Sequence, residues 1–114
     1  KEGKAINASM AKVEEAQRLR IMTDLTVNDG QIALEFHSGI PSTGNALKLN
    51  FYHVTLQEKD FSLLLTRDAK GIYRGFTEQD TNGKWRVSLT PIDDSWKVQQ
   101  EISLPRKDKI RFVP

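Results

Sequence analysis

The 114 residues suffice for one domain around one core, and a hydrophobic fraction of 38% with 28% charged residues is the composition of a globular protein, neither disordered nor membrane-spanning. A net charge of +2, with acids and bases interspersed, gives no argument for nucleic acid or anionic lipid as a partner. With no cysteine, a disulfide framework and a thiolate metal site are both excluded, and no apolar run approaches the roughly 20 residues of a membrane span.

The chain starts at Lys1 and not at a methionine, so the expectation is a piece of a longer protein with any targeting or anchoring segment upstream. Residues 4–19, "KAINASMAKVEEAQRL", are alanine-rich and free of proline and glycine, which predicts a helix. Ile6, Met10, Val13 and Ala16 recur at helical spacing as one narrow apolar stripe, and Glu14 stands four residues before Arg18 in the favoured order for an ion pair. A helix lying on the side of the domain fits this stripe better than a partner-binding helix.

From Arg20 the period becomes two. Ile21, Thr23, Leu25 and Val27 form one row, Asn28 to Gly30 supply turn chemistry, and Ile32, Leu34 and Phe36 resume the alternation as a hairpin. "GIPSTGN", residues 39–45, reads as a loop. Leu47, Leu49 and Phe51 then alternate with Lys48, Asn50 and Tyr52, and Phe61, Leu63 and Leu65 make the next inward row before a turn at Asp68 to Gly71. A strand over 72–77, a turn at Asp80 to Gly83, a strand bearing Trp85, Val87 and Leu89, a row of Trp96, Val98, Ile102 and Leu104, and a short last strand at Ile110 and Phe112 complete the pattern.

Strands of this length with turn signals every ten to fourteen residues predict an all-β, antiparallel, immunoglobulin-like sandwich of about seven strands preceded by an N-terminal α-helix, each strand burying one face. No periodic segment between strands is long enough for a crossover helix. Residues 1–19 read as the helix and residues 20–114 as the sandwich. Gly71 and Gly83 supply turns, and Tyr73 and Trp85 are expected in the core on adjacent strands.

Chemistry is sparse. The two histidines, His37 and His53, are too few for a three-histidine catalytic metal centre. Met10 and Met22 could add thioether ligands for copper, but both fit apolar packing positions. No serine or threonine sits in a glycine-flanked elbow with a matching histidine and acid, and Gly30, Gly39 and Gly44 precede no helix that would make a phosphate loop. "DAKG" and "DTNG" lack the twelve-residue calcium pattern and read as turns. No catalytic, cofactor-binding or metal-ligating set is assigned, and the chain reads as non-enzymatic. His53 falls on the inward face near a strand end, with Asp60 a short loop away, where that carboxylate or a backbone carbonyl would satisfy its ring. "PRKDKIRFVP", residues 105–114, reads as a solvated edge protected by lysine in preference to a membrane-proximal basic patch.

The order of "KEGKAIN" at the start, "FYHVTLQEKD" at 51–60, "GIYRG" at 71–75, "NGKWRVSL" at 82–89 and a further Trp96 resembles the FixH family over nearly the whole chain. The resemblance implies a small protein of the bacterial inner membrane, with one membrane helix just before the stretch at Lys1 to Asn7 and its domain facing the periplasm. It implies an accessory role in maturation or stability of the cbb-type haem-copper oxidase, beside oxidase subunits or assembly machinery, including the copper-transporting ATPase linked to the family. Where the family commonly has proline between the histidine and threonine matching His53 and Thr55, this chain has Val54, which keeps a backbone donor and frees φ, so the strand is expected to run on further than in relatives. The family-motif residues to test for docking are Tyr52, His53, Thr55, Lys59, Asp60, Tyr73 and Trp85, with Tyr52, Val54, Gln57 and Lys59 facing outward. A periplasmic small-ligand or copper carrier, and a generic adhesion or solute-binding module, are the competing readings, because a sandwich hosts many functions.

Overall fold

The computed structural model describes residues 2–42 and 46–114. Helix α1 (Glu2–Arg18) is followed by strands β1 (Met22–Asn28), β2 (Gln31–Ser38), β3 (Ala46–His53), β4 (Phe61–Arg67), β5 (Tyr73–Phe76), β6 (Gly83–Pro91), β7 (Val98–Leu104) and β8 (Ile110–Phe112), with a 3₁₀ turn at Gln57–Lys59. All pairings are antiparallel, in the order β7-β6-β3-β4-β5-β2-β1-β8. β4 and β5 are joined by only two register pairs, Thr66 with Arg74 and Arg67 with Tyr73, so the ribbon folds there into two layers, β7-β6-β3-β4 and β5-β2-β1-β8. The first, second and fifth strands in one layer, with the third, fourth, sixth and seventh in the other, is the immunoglobulin-like arrangement, extended by the short β8 beside β1.

The alternation read from the sequence holds through the core. Leu25, Ile32, Leu34, Leu47, Leu49, Phe51, Leu65, Tyr73, Trp85, Val87, Leu89, Val98 and Phe112 are buried between the layers. Gln100 breaks the inward row of β7 for a reason: its Nε2 donates to the Arg111 carbonyl at 2.9 Å, linking the two outer strands of the ribbon and nearly closing it into a barrel. Thr23, also buried, donates its hydroxyl to the Phe112 carbonyl at 2.7 Å and holds β8 in place.

Two tight connections follow from local chemistry. Asp29 and Gly30, at φ 50° and 79°, make the two-residue turn between Asn28 and Gln31 that matches strand twist. Helix α1 ends with the amide of Arg20 donating to the Gln17 carbonyl and that of Ile21 to the Ala16 carbonyl, the Schellman pattern, with Arg20 at φ 56° where glycine is usual.

Several expectations need correction. Tyr73 and Trp85 are both buried, but β5 and β6 lie in opposite layers and do not pair, because the connection after Phe76 crosses from one layer to the other. Burial is not confined to one face of each strand: Val87 to Thr90 on the central strand β6 are buried consecutively. Arg18 pairs with Glu15, through Nε and Nη2 at 2.8 and 2.6 Å, and not with Glu14; this forked contact holds the Glu15 carboxyl below its ordinary pKa. Met10 and Met22 are exposed: α1 meets the sandwich through Lys12 and Ala16, and Met22 points to the outer face of β1. The side chain of Ile6, and residues 43–45 of the predicted loop, lie outside the described residues.

Candidate functional site

The motif 51–60 occupies the β3–β4 connection, at the end of the sandwich away from the C-terminus of α1. Phe51 pairs with Phe61, so everything between them must be organised without a sheet partner on the β4 side. Asp60 Oδ1 accepts the His53 backbone amide at 2.7 Å, adding one bond beyond the last pair of strands. The chain turns through Gln57–Lys59, where the amides of Lys59 and Asp60 donate to the carbonyls of Leu56 and Gln57 at 3.0 Å each.

His53 acts differently from expectation. Its ring does not touch Asp60; instead Nδ1 accepts the backbone amides of Thr55 at 3.2 Å and Leu56 at 3.0 Å. An atom that accepts two N–H groups carries no proton, so the ring's N–H is at Nε2. Nε2 lies towards Gly83, where an added Cβ would stand 3.1 Å from it. Gly83, at φ 134°, therefore serves two needs, an unusual backbone conformation and room for the ring.

The ring rests edge-on against Trp85, with centroids 4.9 Å apart and planes at 85°. Trp85 also meets Phe51 and Phe61 edge-on at 5.7 and 5.4 Å, and those two stack on each other at 4.6 Å. Its indole Nε1 donates to the Thr81 carbonyl at 2.9 Å, pinning the β5–β6 loop to the same cluster. Trp85 thus joins a buried aromatic core to the two loops beside it, and His53 is the hinge between core and motif.

Outside this clasp the motif presents Tyr52, Val54 and Leu56, which are 46%, 47% and 41% exposed. The Val54 amide donates to the Lys84 carbonyl at 3.1 Å, so with valine where proline is common the β3–β6 ladder runs one bond further. Thr55, Gln57, Lys59 and Asp60 are exposed around the patch. Of the residues singled out from sequence, Tyr52, His53, Thr55, Lys59, Asp60 and Trp85 share this end of the molecule. Tyr73 does not: it packs in the other layer against Phe36 at 5.4 Å, and its buried hydroxyl has no partner among the described residues.

His37 lies on the outer face of the opposite layer, with Nε2 2.7 Å from Asp24 Oδ2, while Arg111 Nε donates to Asp24 Oδ1 at 2.9 Å. The His37 contact and, after it, Arg111 hold the Asp24 carboxyl below its ordinary pKa, although partial burial works the other way. Asp68, which turns the chain from β4 to β5, is lowered likewise by Arg74 and by the amide of Ile72. Among the described residues no three His, Asp or Glu groups gather where they could hold an ion, and no helix is long and apolar enough to cross a membrane. The largest groove, about 810 Å³, runs between the β1–β2 turn, the β5–β6 loop and the β7–β8 connection. It contains none of the residues of the 51–60 motif, and its walls carry opposite charges, Glu78 and Asp80 against Arg106 and Lys107.

The FixH family model matches residues 1–103, a span that includes every motif above. The chain belongs to the FixH family. Strand β8 lies beyond the matched span. No curated protein and no solved structure matches this FixH-family chain.

Sequence reasoning missed two parts of the site, the Leu56 amide and Gly83. A histidine two and three residues ahead of unpaired amides is a legible cap signal, because Nδ1 reaches the same distance as the oxygen of asparagine. The approach of Gly83 to His53 was not legible, since it depends on β3–β6 register.

Proposed function

We propose that this FixH-family protein is a non-enzymatic accessory factor for maturation or stability of a cbb-type haem-copper oxidase, acting at the periplasmic side of a bacterial inner membrane through its sandwich. The observation that carries the reading is the exposed trio Tyr52, Val54 and Leu56, held in shape by the His53 clasp within the family's own motif. Exposed apolar side chains that include a tyrosine, with polar residues around them, are suited to a protein contact. The largest groove is half open and has walls of opposite charge, not an enclosed apolar cavity, which favours a protein partner over an apolar small ligand.

The partners proposed are oxidase subunits or the machinery that assembles them, including the copper-transporting ATPase. A photo-crosslinking residue at Tyr52, compared with one at Glu35 on the opposite layer, tests this in cells respiring at low oxygen. The reading expects covalent products with oxidase or assembly proteins from position 52 alone. Equal products from both positions, or none from position 52, would contradict it.

A further inference from the structure

We infer that the outer face of the β3-β6-β7 layer carries an oxyanion site that takes a phosphate-class group. The register builds it in two rows. Lys48 stands opposite Thr90, and Asn50 opposite Ser88, across β3 and β6. On the other side Ser88 faces Gln99, and Lys97, one residue before the Val98–Leu89 pair, continues the row opposite Thr90. Two lysines therefore flank one threonine, and two amides flank one serine.

The floor is covered in a way an ordinary sheet surface is not. Ser88 and Thr90 are only 4% and 6% exposed although they point away from the core. They lie at the bottom of a hollow of about 370 Å³ whose walls include Lys48, Lys97 and Lys12. The backbone fixes one rim: the Lys97 amide donates to the Lys12 carbonyl at 3.1 Å, holding the start of β7 against α1.

Charge decides the class of ligand. The Lys12 ammonium is already paired with Asp94 at 2.6 Å, but among the described residues neither Lys48 nor Lys97 has an acidic partner. Lys48 and Lys97 flank Thr90 from the two neighbouring strands and line the same hollow, so an anion between them relieves the repulsion of their like charges. Two ammoniums, two hydroxyls and the Asn50 amide offer more donors than a carboxylate uses, and they suit the several oxygens of a phosphate. The small net charge of the chain conceals this, because what matters is local arrangement.

The test titrates the protein with sodium phosphate against sodium chloride of equal ionic strength, read by amide chemical shifts. Saturable shifts confined to residues 48–50, 88–90 and 97–99 are expected, with affinity lowered about tenfold in Lys48→Gln and in Lys97→Gln. Lys84→Gln, on the same face but off the cradle, should leave affinity unchanged, and melting of each variant checks that it is folded. Flotation with phosphatidylglycerol vesicles separates the sources: binding lost in the Lys48→Gln, Lys97→Gln double assigns the site to a lipid headgroup, and response to soluble phosphate alone assigns it to the free ion. Shifts spread over all surface lysines, shifts equal in chloride, vesicle binding indifferent to the double variant, or saturation by an acidic peptide without response to phosphate would each overturn the site.

Discussion

Replacing His53 by alanine tests the clasp most sharply, because the ring has two separable duties. As an acceptor it serves the amides of Thr55 and Leu56. Each such bond contributes about 0.5–1.5 kcal/mol, and since this stretch is exposed its amides can turn to water, so about 1 kcal/mol for the pair is the reasonable figure. As an aromatic ring it meets Trp85 edge-on at 4.9 Å, worth about 0.5–1.5 kcal/mol more. His53→Ala should therefore cost about 2 kcal/mol, a fall in Tm of roughly 6 to 12 °C for a domain of this size. His53→Asn places Oδ1 where Nδ1 was, keeps the acceptor and loses only the ring, so it should recover about 1 kcal/mol of that loss. His53→Gln carries its amide one bond too far and should resemble alanine. Urea titrations with unchanged m-value provide the comparison. If asparagine is no better than alanine, or alanine costs under about 0.5 kcal/mol, the acceptor role assigned to Nδ1 is wrong.

Trp85→Ala should cost about 3–5 kcal/mol in the same titration, since a buried indole and three aromatic contacts are lost together. Tyr73→Phe removes a buried hydroxyl that has no partner among the described residues, so calorimetry should show unchanged stability or a gain of about 1 kcal/mol; a loss of that size would reveal a partner for the hydroxyl. Arg20→Gly should raise stability by about 0.5–1 kcal/mol, because the left-handed conformation at φ 56° burdens arginine more than glycine. Asp24 has a folded pKa below its unfolded value of about 3.9, so its contribution is complete above that pH and fades as pH falls through the folded value. Acid unfolding of Asp24→Asn should accordingly be flatter than that of the parent below about pH 4, and an identical profile would remove Asp24 from the acid response.

What the sequence made legible was periodicity. Strict alternation at Ile21 to Val27 and at Leu47 to Phe51 revealed strands and their buried faces, and Asp29-Gly30 revealed the hairpin turn. Layer assignment was not legible: β5 and β6 are neighbours in sequence, and only the pairing of β6 with β3 and β7 sets Trp85 apart from Tyr73. The clasp was half visible. His53 and Asp60 stood out as a pair, and a histidine just ahead of a turn is a cap signal, but which amides its ring takes emerged only from the turn's geometry. The burial of Ser88 and Thr90 was hidden for a related reason, because it depends on β6 lying between β3 and β7, which the sequence does not show.

The central claim is that the motif's outward side chains dock a partner while His53 holds them in position. The direct measurement compares active oxidase in membranes of cells carrying the parent protein with cells carrying the Tyr52→Ala, Lys59→Ala double variant, with melting temperature and protein level recorded alongside. The account predicts normal melting and normal level with oxidase lost. Unchanged oxidase at normal protein level would contradict it.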